Sequence, residues 1–248
     1  MTNIIALQLY TVRDETAKDF KGTLRAVAEI GYHGVEFAGY GGLDAKELAG
    51  VLSEYGLKTV GSHVGLALIE KDIDHEIAYC LEIGSPYLIV PWIDKSLLAQ
   101  ADTFKKFTDQ LNEYGRRCQA RGLTLAYHNH QFEFETVDGQ TLLERMIAAT
   151  DPALVKFEID TYWAAFAGVD PIALIRQHSD RIATLHLKDM TPERTFTEIG
   201  TGTLDIAGYI EAGQAAGVTA YIVENDQPTI PSLESAKRSF ADLHRSLT

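Results

Sequence analysis

The chain has 248 residues, of which 46% are hydrophobic, and it carries a formal net charge of −13. This length is close to the roughly 250 residues of a typical (β/α)8 barrel, and it provides enough apolar material for one large core. The acidic excess argues against a nucleic-acid partner, because binding to a phosphate backbone requires clustered lysine and arginine. The sequence contains no basic run that would offset this charge.

The two cysteines and the N-terminal segment bear on the cellular compartment. Cys80 and Cys118 lie in helix-like contexts and predict buried thiols rather than a disulfide framework, which favours a reducing compartment. The opening segment, MTNIIALQLYTVRDE, has no basic region and only a short apolar run before Arg13. We therefore expect neither a signal peptide nor a membrane span, and a cytoplasmic location.

Apolar, strand-like runs alternate with helix-like segments from end to end, without a linker between them. The strand-like runs, strands 1 to 8, begin near Ile4, Gly34, Leu57, Tyr87, Leu123, Val155, Ile182 and Ala220. The helix-like segments cover residues 19–30, 44–55, 72–83, 96–121, 139–149, 170–178, 205–216 and 232–247. Several begin at a residue type that caps helices, namely Asp44, Ser96, Asp170 and Asp205.

A glycine near the end of most helix-like segments marks the return to the sheet. Gly31, Gly56, Gly84, Gly122 and Gly217 stand just before strand-like runs, where glycine supplies the left-handed backbone that ends a helix. Repetition of this unit at roughly 25–35 residue spacing is typical of successive βαβ units. No glycine-rich phosphate loop follows strand 1, which argues against an open nucleotide-binding sheet. The pattern predicts a single domain over residues 1–248, folded as one (β/α)8 barrel.

Four acidic or imidazole side chains end four successive strands. His128, Asp160, His186 and Glu224 close strands 5, 6, 7 and 8, and the C-terminal ends of barrel strands converge around one axis. Charged side chains are rarely buried unless they are paired or bind a metal. One Asp, one Glu and two His form a mixed nitrogen and oxygen set suited to Mn, Fe, Co, Ni, Zn or, in part, Mg. The sequence therefore predicts one divalent metal ion at the mouth of the barrel.

Other polar or aromatic residues end strands at the same face, where the active sites of such barrels lie. We expect the substrate site to be lined by Gln8, Glu36, His63, Trp92 and Trp163. His130 and Lys188 share a face with His128 and His186, because residues i and i+2 of a strand point the same way. His33 precedes strand 2, so we expect it at the opposite, stabilising end of the barrel.

Seven segments distributed along the chain carry a family signature. They are ALQLYTVRD (6–14), GYHGVEFAG (31–39), AYHNHQFEFE (126–135), FEIDTYWAAFAGVDP (157–171), LHLKD (185–189), EIGTGTLD (198–205) and YIVEND (221–226). Together they resemble the xylose isomerase-like barrel superfamily of sugar (phosphate) isomerases, epimerases and inosose-type dehydratases. The resemblance covers nearly the whole chain but is not specific to one substrate. It implies a small sugar or keto-sugar substrate and an expectation of a homo-oligomer.

The resemblance also implies a ligand set. Members of the superfamily bind one divalent metal through side chains of strands 5 to 8, commonly Glu, Asp, His and Glu. The resemblance assigns Asp160, His186 and Glu224 to the last three positions, whereas strand 5 of this chain offers His128 in place of the carboxylate. Either His128 is the ligand or Glu158, one layer below Asp160, supplies the missing oxygen. We expect His128 to bind the metal and Glu158 to support the ligands from behind.

The reaction implied by the resemblance is proton transfer next to a carbonyl, with the metal stabilising the negative charge that forms. Related epimerases use two facing glutamates, of which only Glu224 remains here. We expect Glu224 to act as base, His130 or His128 as its partner, and Lys188 to stabilise developing charge. The primary hypothesis is a sugar (phosphate) isomerase or epimerase. The alternatives are a lyase, either an inosose dehydratase or a 3-keto-glycoside eliminase, and an inactive sugar-binding barrel.

Two further features bear on the substrate. A phosphorylated sugar would need backbone amides and a cation on the loops after strands 7 and 8. The Gly200-Thr201-Gly202 turn and Arg194 could provide them, or the turn could be a plain connector. The apurinic endonucleases of the same superfamily are excluded, because Trp163 stands where their additional zinc-binding histidine would follow Asp160.

Overall fold

Eight parallel strands form a closed barrel in the computed structural model, which describes residues 3–247. Strands 1 to 8 cover Ile4–Gln8, Gly34–Phe37, Lys58–His63, Tyr87–Val90, Thr124–His128, Val155–Asp160, Ile182–Leu187 and Ala220–Val223. Neighbours along the chain are neighbours in the barrel, and strand 1 closes it by pairing with strand 8. The predicted (β/α)8 barrel is confirmed. The outermost residues of the predicted domain, Met1, Thr2 and Thr248, lie outside the described residues.

Helices surround the barrel between successive strands. They cover Phe20–Ile30, Ala45–Tyr55, Leu66–Glu82, Ala101–Ala120, Leu142–Ala149, Pro171–Gln177, Ile206–Ala215 and Ser232–Leu247, with short helices at Arg13–Thr16 and Thr161–Phe166. The predicted helix stops Gly31, Gly56, Gly84, Gly122 and Gly217 have φ values between 69° and 118°. These values lie in the region that favours glycine, so the stops are confirmed.

Two predicted helix starts have different outcomes. Helix Leu66–Glu82 consists of two pieces that meet at a kink at Asp72 (φ −162°, ψ 81°), and Asp72 Oδ1 accepts the His75 backbone N–H at 3.1 Å, so the predicted start at Asp72 is the start of the second piece. The prediction of Ser96 as a helix cap is wrong, because Asp94 accepts a hydrogen bond from the Ser96 backbone N–H at 2.8 Å and starts a short 3-10 turn instead. The following α-helix, Ala101–Ala120, begins only after that turn.

The inside of the barrel is layered, with apolar residues below and polar residues above. The lower layer is a buried apolar cluster made of Ala6, Val60, Ala220 and Ile222. Inward-facing positions of a strand lie two residues apart, so the next inward residues toward the mouth are Gln8, Ser62 and Glu224. The main apolar core fills the space between strands and helices. This arrangement holds a polar, buried layer directly beneath the mouth.

Three expectations outside the mouth can be compared with the structure. His33 accepts a hydrogen bond at Nδ1 from the Ile5 backbone N–H at 3.1 Å, which confirms its structural position at the start of strand 1. Cys80 and Cys118 are buried free thiols, as predicted. Within residues 3–247, no helix combines the length and the apolar character that a membrane crossing requires.

Candidate active site

The side chains that end strands 5 to 8 converge at the mouth of the barrel. His128, Asp160, His186 and Glu224 each offer one nitrogen or carboxylate oxygen, these atoms lie within 4.8 Å of one another, and all four residues are buried. The parallel register sets Asp160 beside His186 on neighbouring strands. The structure thus brings together the donor set that the sequence predicts, and metal binding by this set stays a prediction.

The carboxylate of Asp160 is oriented by the segment that follows strand 6. Its Oδ1 accepts a hydrogen bond from the Trp163 backbone N–H at 3.0 Å, which caps the short helix there. Asn129 holds the same segment by accepting the Asp160 backbone N–H at 3.0 Å. The other oxygen, Oδ2, is buried without a hydrogen-bond partner, although Lys188 Nζ lies 2.9 Å away and His128 Nε2 3.7 Å away. This oxygen is therefore directed into the cluster, where it faces the Lys188 ammonium.

Glu158 lies beneath the cluster and joins three imidazoles. Its Oε2 lies 2.7 Å from His63 Nε2, 3.0 Å from His128 Nδ1 and 3.1 Å from His186 Nε2. The Thr184 hydroxyl donates to its Oε1 at 2.6 Å. Burial opposes ionisation, but His186 and His63 outweigh it and hold the pKa of Glu158 well below its usual range. Glu158 therefore orients the imidazoles as a charged acceptor, and with them it forms a second, deeper donor set.

Gln8 and Glu36 lie in the buried layer beneath the mouth of the barrel. Both are fully buried, and neither lines the cavity at the mouth. Glu36 Oε2 lies 2.6 Å from His186 Nε2 and 3.1 Å from His63 Nε2, and Gln8 Nε2 donates to it at 2.8 Å. Gln8 and Glu36 therefore lie below the lining of the cavity, and their role in substrate binding stays a prediction. Their contacts position the two imidazoles.

Lys188 is the centre of a buried ion-pair network. Its Nζ lies 2.8 Å from Glu224 Oε2, 2.9 Å from Asp160 Oδ2 and 3.0 Å from Asp226 Oδ2. Burial disfavours the ammonium form, yet the three carboxylates raise the pKa of Lys188 well above its usual range. Burial also raises the pKa of Asp226 to about 7, and the charge of Glu224 acts in the same direction. Lys188 consequently stays charged at the edge of the cavity.

His130 faces the same end of the cavity from the loop after strand 5. Burial lowers the pKa of His130 to about 3, with Lys188 acting in the same direction, so the imidazole is neutral. Its Nδ1 is buried without a hydrogen-bond partner. Glu133 holds this loop by accepting the His130 backbone N–H at 2.8 Å and the Tyr127 hydroxyl at 2.5 Å. No local sequence signal singles out Glu133, because a glutamate on a short turn resembles an ordinary surface charge.

A cavity of about 950 Å³ opens above this network. Of the predicted substrate-binding residues, it is lined by His63, Trp92 and Trp163. Of the predicted metal and catalytic residues, it is lined by His128, His130, Lys188 and Glu224. Its walls also contain Tyr10, Arg13, Leu68 and Asp226, to which the sequence assigns no substrate role. The reactive groups of strands 5, 7 and 8 therefore share one compartment with exposed aromatic surface.

The turn after strand 7 does not present free amides to an anion. Gly200 N–H and Gly202 N–H donate to Asp189 Oδ2 at 3.0 and 2.9 Å, and two further backbone amides donate to its Oδ1. The guanidinium of Arg194 donates to the Phe166 carbonyl oxygen. The groups that the sequence offers as a phosphate anchor are thus bonded within the chain. This supports the alternative that the turn is a plain connector.

Comparisons of the sequence with known proteins agree with this architecture. Residues 24–241 match the family described as xylose isomerase-like TIM barrel. An inosose dehydratase of Geobacillus kaustophilus is 27% identical over 189 residues, which cover 67% of this chain and 61% of the relative. The chain thus spans less than two thirds of the length of this curated relative.

Solved structures share the barrel. A sugar phosphate isomerase/epimerase from Parabacteroides distasonis has a TM-score of 0.86 and 26% sequence identity, with 98% of each chain covered. The IolI protein, whose crystal structure holds a zinc atom, has a TM-score of 0.76 and 14% identity, again with 98% of each chain covered. The second likeness shows the fold alone.

Proposed function

We propose that this chain, which belongs to the xylose isomerase-like TIM-barrel family, is a divalent-metal-dependent enzyme. It would remove a proton next to a sugar carbonyl. One observation carries the proposal. The imidazole of His130, the ammonium of Lys188 and the carboxylate of Glu224 line one cavity beside the four-residue donor set. A relative named inosose dehydratase and a structural neighbour named sugar phosphate isomerase/epimerase support sugar carbonyl chemistry.

The donor set fits a divalent metal ion. Two imidazoles and two carboxylates provide the mixed nitrogen and oxygen environment that Mn, Fe, Co and Zn accept, and Mg in part. The Oδ2 of Asp160 supports the fit, because this buried oxygen makes no hydrogen bond and faces the Lys188 ammonium at 2.9 Å, so its surroundings already favour a cation. The ion would be held by His128, Asp160, His186 and Glu224, and the zinc atom of IolI supports this class of cofactor. When bound, such an ion stabilises negative charge that develops on a carbonyl oxygen.

The acid and base groups of the cavity are of different kinds. His130 is neutral and has a ring nitrogen without a hydrogen-bond partner, so it is placed to accept a proton from the carbon next to the carbonyl, and its low pKa makes it a weak base. Lys188 can stabilise or protonate an oxygen that departs from the neighbouring carbon. Glu224 Oε2 already lies 2.8 Å from both His186 Nδ1 and Lys188 Nζ. We therefore assign Glu224 to holding these groups and the metal, and His130 to proton abstraction.

The reaction that suits this arrangement best is an elimination. A symmetric epimerase needs two equivalent groups on opposite faces of one carbon, whereas strand 5 offers imidazoles where a second glutamate would stand. In the elimination, the C–H bond next to the carbonyl breaks and its electron pair forms a C–C double bond. The C–O bond at the next carbon breaks, and the departing oxygen takes a proton. An isomerase or epimerase is the second candidate, favoured by the name of the Parabacteroides neighbour.

Deuterium exchange and ultraviolet absorbance separate these two reactions. Protein loaded with Mn, Co or Zn would be incubated in D2O with inososes and keto-sugars, alongside the His130→Asn variant. An elimination produces a new conjugated-enone absorbance, which His130→Asn should lower. An isomerisation incorporates deuterium without that absorbance. If neither the absorbance nor deuterium incorporation appears with Mn, Co or Zn, the proposed function is wrong.

The expectations about location and assembly stay predictions. A cytoplasmic location rests on the two unpaired cysteines, and a homo-oligomer rests on the family resemblance. Light scattering on the purified chain measures the assembly, and the mass of a monomer would contradict the second expectation.

A further inference from the structure

The cavity at the mouth has two halves of different character. Strands 5 to 8 contribute imidazole, carboxylate and ammonium groups. Strands 1 to 4 and their loops contribute mainly apolar side chains, among them Tyr10, Tyr40, Leu43, Leu68, Pro91 and Trp92. Because the strands follow one another around the barrel, these two sets face each other across the mouth. The volume of about 950 Å³ lies at the upper end of the roughly 300–1,000 Å³ range of small-molecule sites.

The apolar half presents large side chains to solvent. Trp92 is 54% exposed, Leu68 51% and Tyr10 43%, and they are three of the five most exposed large apolar residues within 3–247. The Tyr10 ring is held in place, since the Arg13 guanidinium lies 4.2 Å from its centre and its backbone N–H donates to Gln8 Oε1 at 3.0 Å. A pre-positioned apolar surface beside a polar reaction centre indicates a binding place for the apolar face of a ring.

The cationic groups of the cavity are already bonded. Within residues 3–247, the lysine, arginine and carboxylate side chains of the lining are Arg13, Lys188, Glu76, Glu224 and Asp226. Lys188 is enclosed by carboxylates, and Arg13 donates to the backbone oxygens of Tyr10 and Asp226 at 2.8 and 2.9 Å. The loop amides after strand 7 are bonded to a carboxylate as well. A phosphate group would therefore meet lysine, arginine and loop-amide donors that are already bonded within the chain.

We infer that the substrate is a neutral glycoside with two rings, whose outer ring packs against Trp92, Tyr10 and Leu68. The inference rests on the proposed function for the inner ring, whose reacting carbon meets the groups of strands 5 to 8. The outer ring is a second sugar or an aromatic aglycone, because each presents an apolar face of the size that an indole ring covers. A keto-sugar with one ring would leave the apolar half of the cavity unfilled.

Isothermal titration calorimetry on the full chain tests the outer subsite without any turnover. The probes are phenyl β-glucoside and cellobiose, which carry an aryl and a sugar outer ring, together with glucose and glucose 6-phosphate. We expect at least one two-ring probe to bind about tenfold more tightly than glucose, and glucose 6-phosphate to bind no more tightly than glucose. The tighter of the two-ring probes identifies the kind of outer ring.

Trp92→Ala should remove the advantage of the two-ring probe, a loss of about tenfold, and leave the affinity for glucose unchanged. Val137→Ala is the matched control, because Val137 is 39% exposed and lies outside the cavity lining. The inference is overturned by equal affinity for one-ring and two-ring probes, by an unchanged affinity in Trp92→Ala, by preference for the phosphate, or by binding of none of the probes.

Failure of the proposed function gives a different pattern. A chain that binds a two-ring probe through Trp92 but shows neither enone formation nor deuterium exchange would reject the proposed function and keep the outer subsite. Turnover of keto-sugars with one ring, at a KM that Trp92→Ala does not change, would keep the function and reject the outer subsite.

Discussion

The ammonium group of Lys188 lies 2.8 Å from Oε2 of Glu224, one of the two carboxylates that we assign to a metal ion. Asp160 Oδ2 and Asp226 Oδ2 lie 2.9 and 3.0 Å from the same nitrogen. Lys188, Asp160 and Glu224 are all buried, where an uncompensated charge is costly. Lys188 therefore supplies part of the positive charge that keeps the carboxylates together, and a divalent ion beside it would supply the rest.

Lys188→Met should destabilise the chain and make its stability depend on divalent metal. Removal of one partner from a buried ion-pair network costs about 3–5 kcal/mol, and thermal unfolding in the presence of a chelator should show this loss. Excess Mn²⁺ or Zn²⁺ should raise the Tm of Lys188→Met more than that of the wild type, because the added charge replaces the lost ammonium. Lys95→Met, which breaks the exposed 2.7 Å pair with Glu135, is the control. An equal response of both variants to metal would contradict the prediction.

Asp160→Asn should weaken metal binding by about tenfold or more. The asparagine oxygen can still accept the Trp163 backbone N–H, so the helix cap is retained. Plasma mass spectrometry, on protein purified without added metal or chelator, should find roughly one ion per wild-type chain and less in the variant. Asp44→Asn, the same change at a surface helix cap that accepts the Glu47 backbone N–H, should leave the metal content unchanged. A wild-type chain that takes up no Mn, Co or Zn would reject the metal site.

The strand ends of the second half of the barrel are predictable because they depend on local signals. Glycines such as Gly122 and Gly217 end helices, and apolar runs mark the strands that follow. In any closed parallel barrel the residues after those strands converge. The convergence of Asp160, His186 and Glu224 is therefore predictable from the sequence, and the structure places the three residues in one cluster.

The depth of a side chain and its hydrogen-bond partners have no such local signal. The register between strands 2 and 3 shifts between Val35 and Glu36, and the position of Glu36 relative to the rim depends on this pairing. Asp189 accepts amides from Gly200 and Gly202, 11 and 13 residues later in the chain. A turn that resembles an anion site is thus closed by the chain itself, which only the three-dimensional path reveals.

His130→Asn should lower kcat by roughly 10²–10⁴-fold, because asparagine cannot accept the proton that the imidazole removes. Initial rates of enone formation and of deuterium exchange measure the loss. Metal content should stay at the wild-type level, since His130 lies outside both donor sets among the described residues. His75→Asn, at an exposed helical position, is the control and should change neither quantity. Loss of the metal together with the activity would instead identify His130 as a ligand.

Glu133→Gln should change how the free energy of unfolding varies with pH. Burial raises the pKa of Glu133 from 4.5 to about 7, against the hydrogen bonds from Tyr127 and His130, which act in the opposite direction. Between these two values the folded state holds a proton that the unfolded state has released. The group therefore stabilises the fold fully below about pH 4.5 and loses this contribution as the pH rises through about 7. The loss is on the order of 3 kcal/mol.

Urea unfolding between about pH 4.5 and 8 measures this contribution as a difference between the wild type and Glu133→Gln. Near pH 4.5 the two proteins should have similar stability, because the protonated carboxyl of Glu133 and the amide of glutamine can both accept the His130 backbone N–H and donate to the Tyr127 hydroxyl oxygen. Toward pH 8 the variant should become the more stable protein, because glutamine carries no buried charge there. Glu135→Gln, at an exposed neighbouring carboxylate, should follow the wild-type curve. Parallel curves for the wild type and Glu133→Gln would show that Glu133 does not cause the pH dependence.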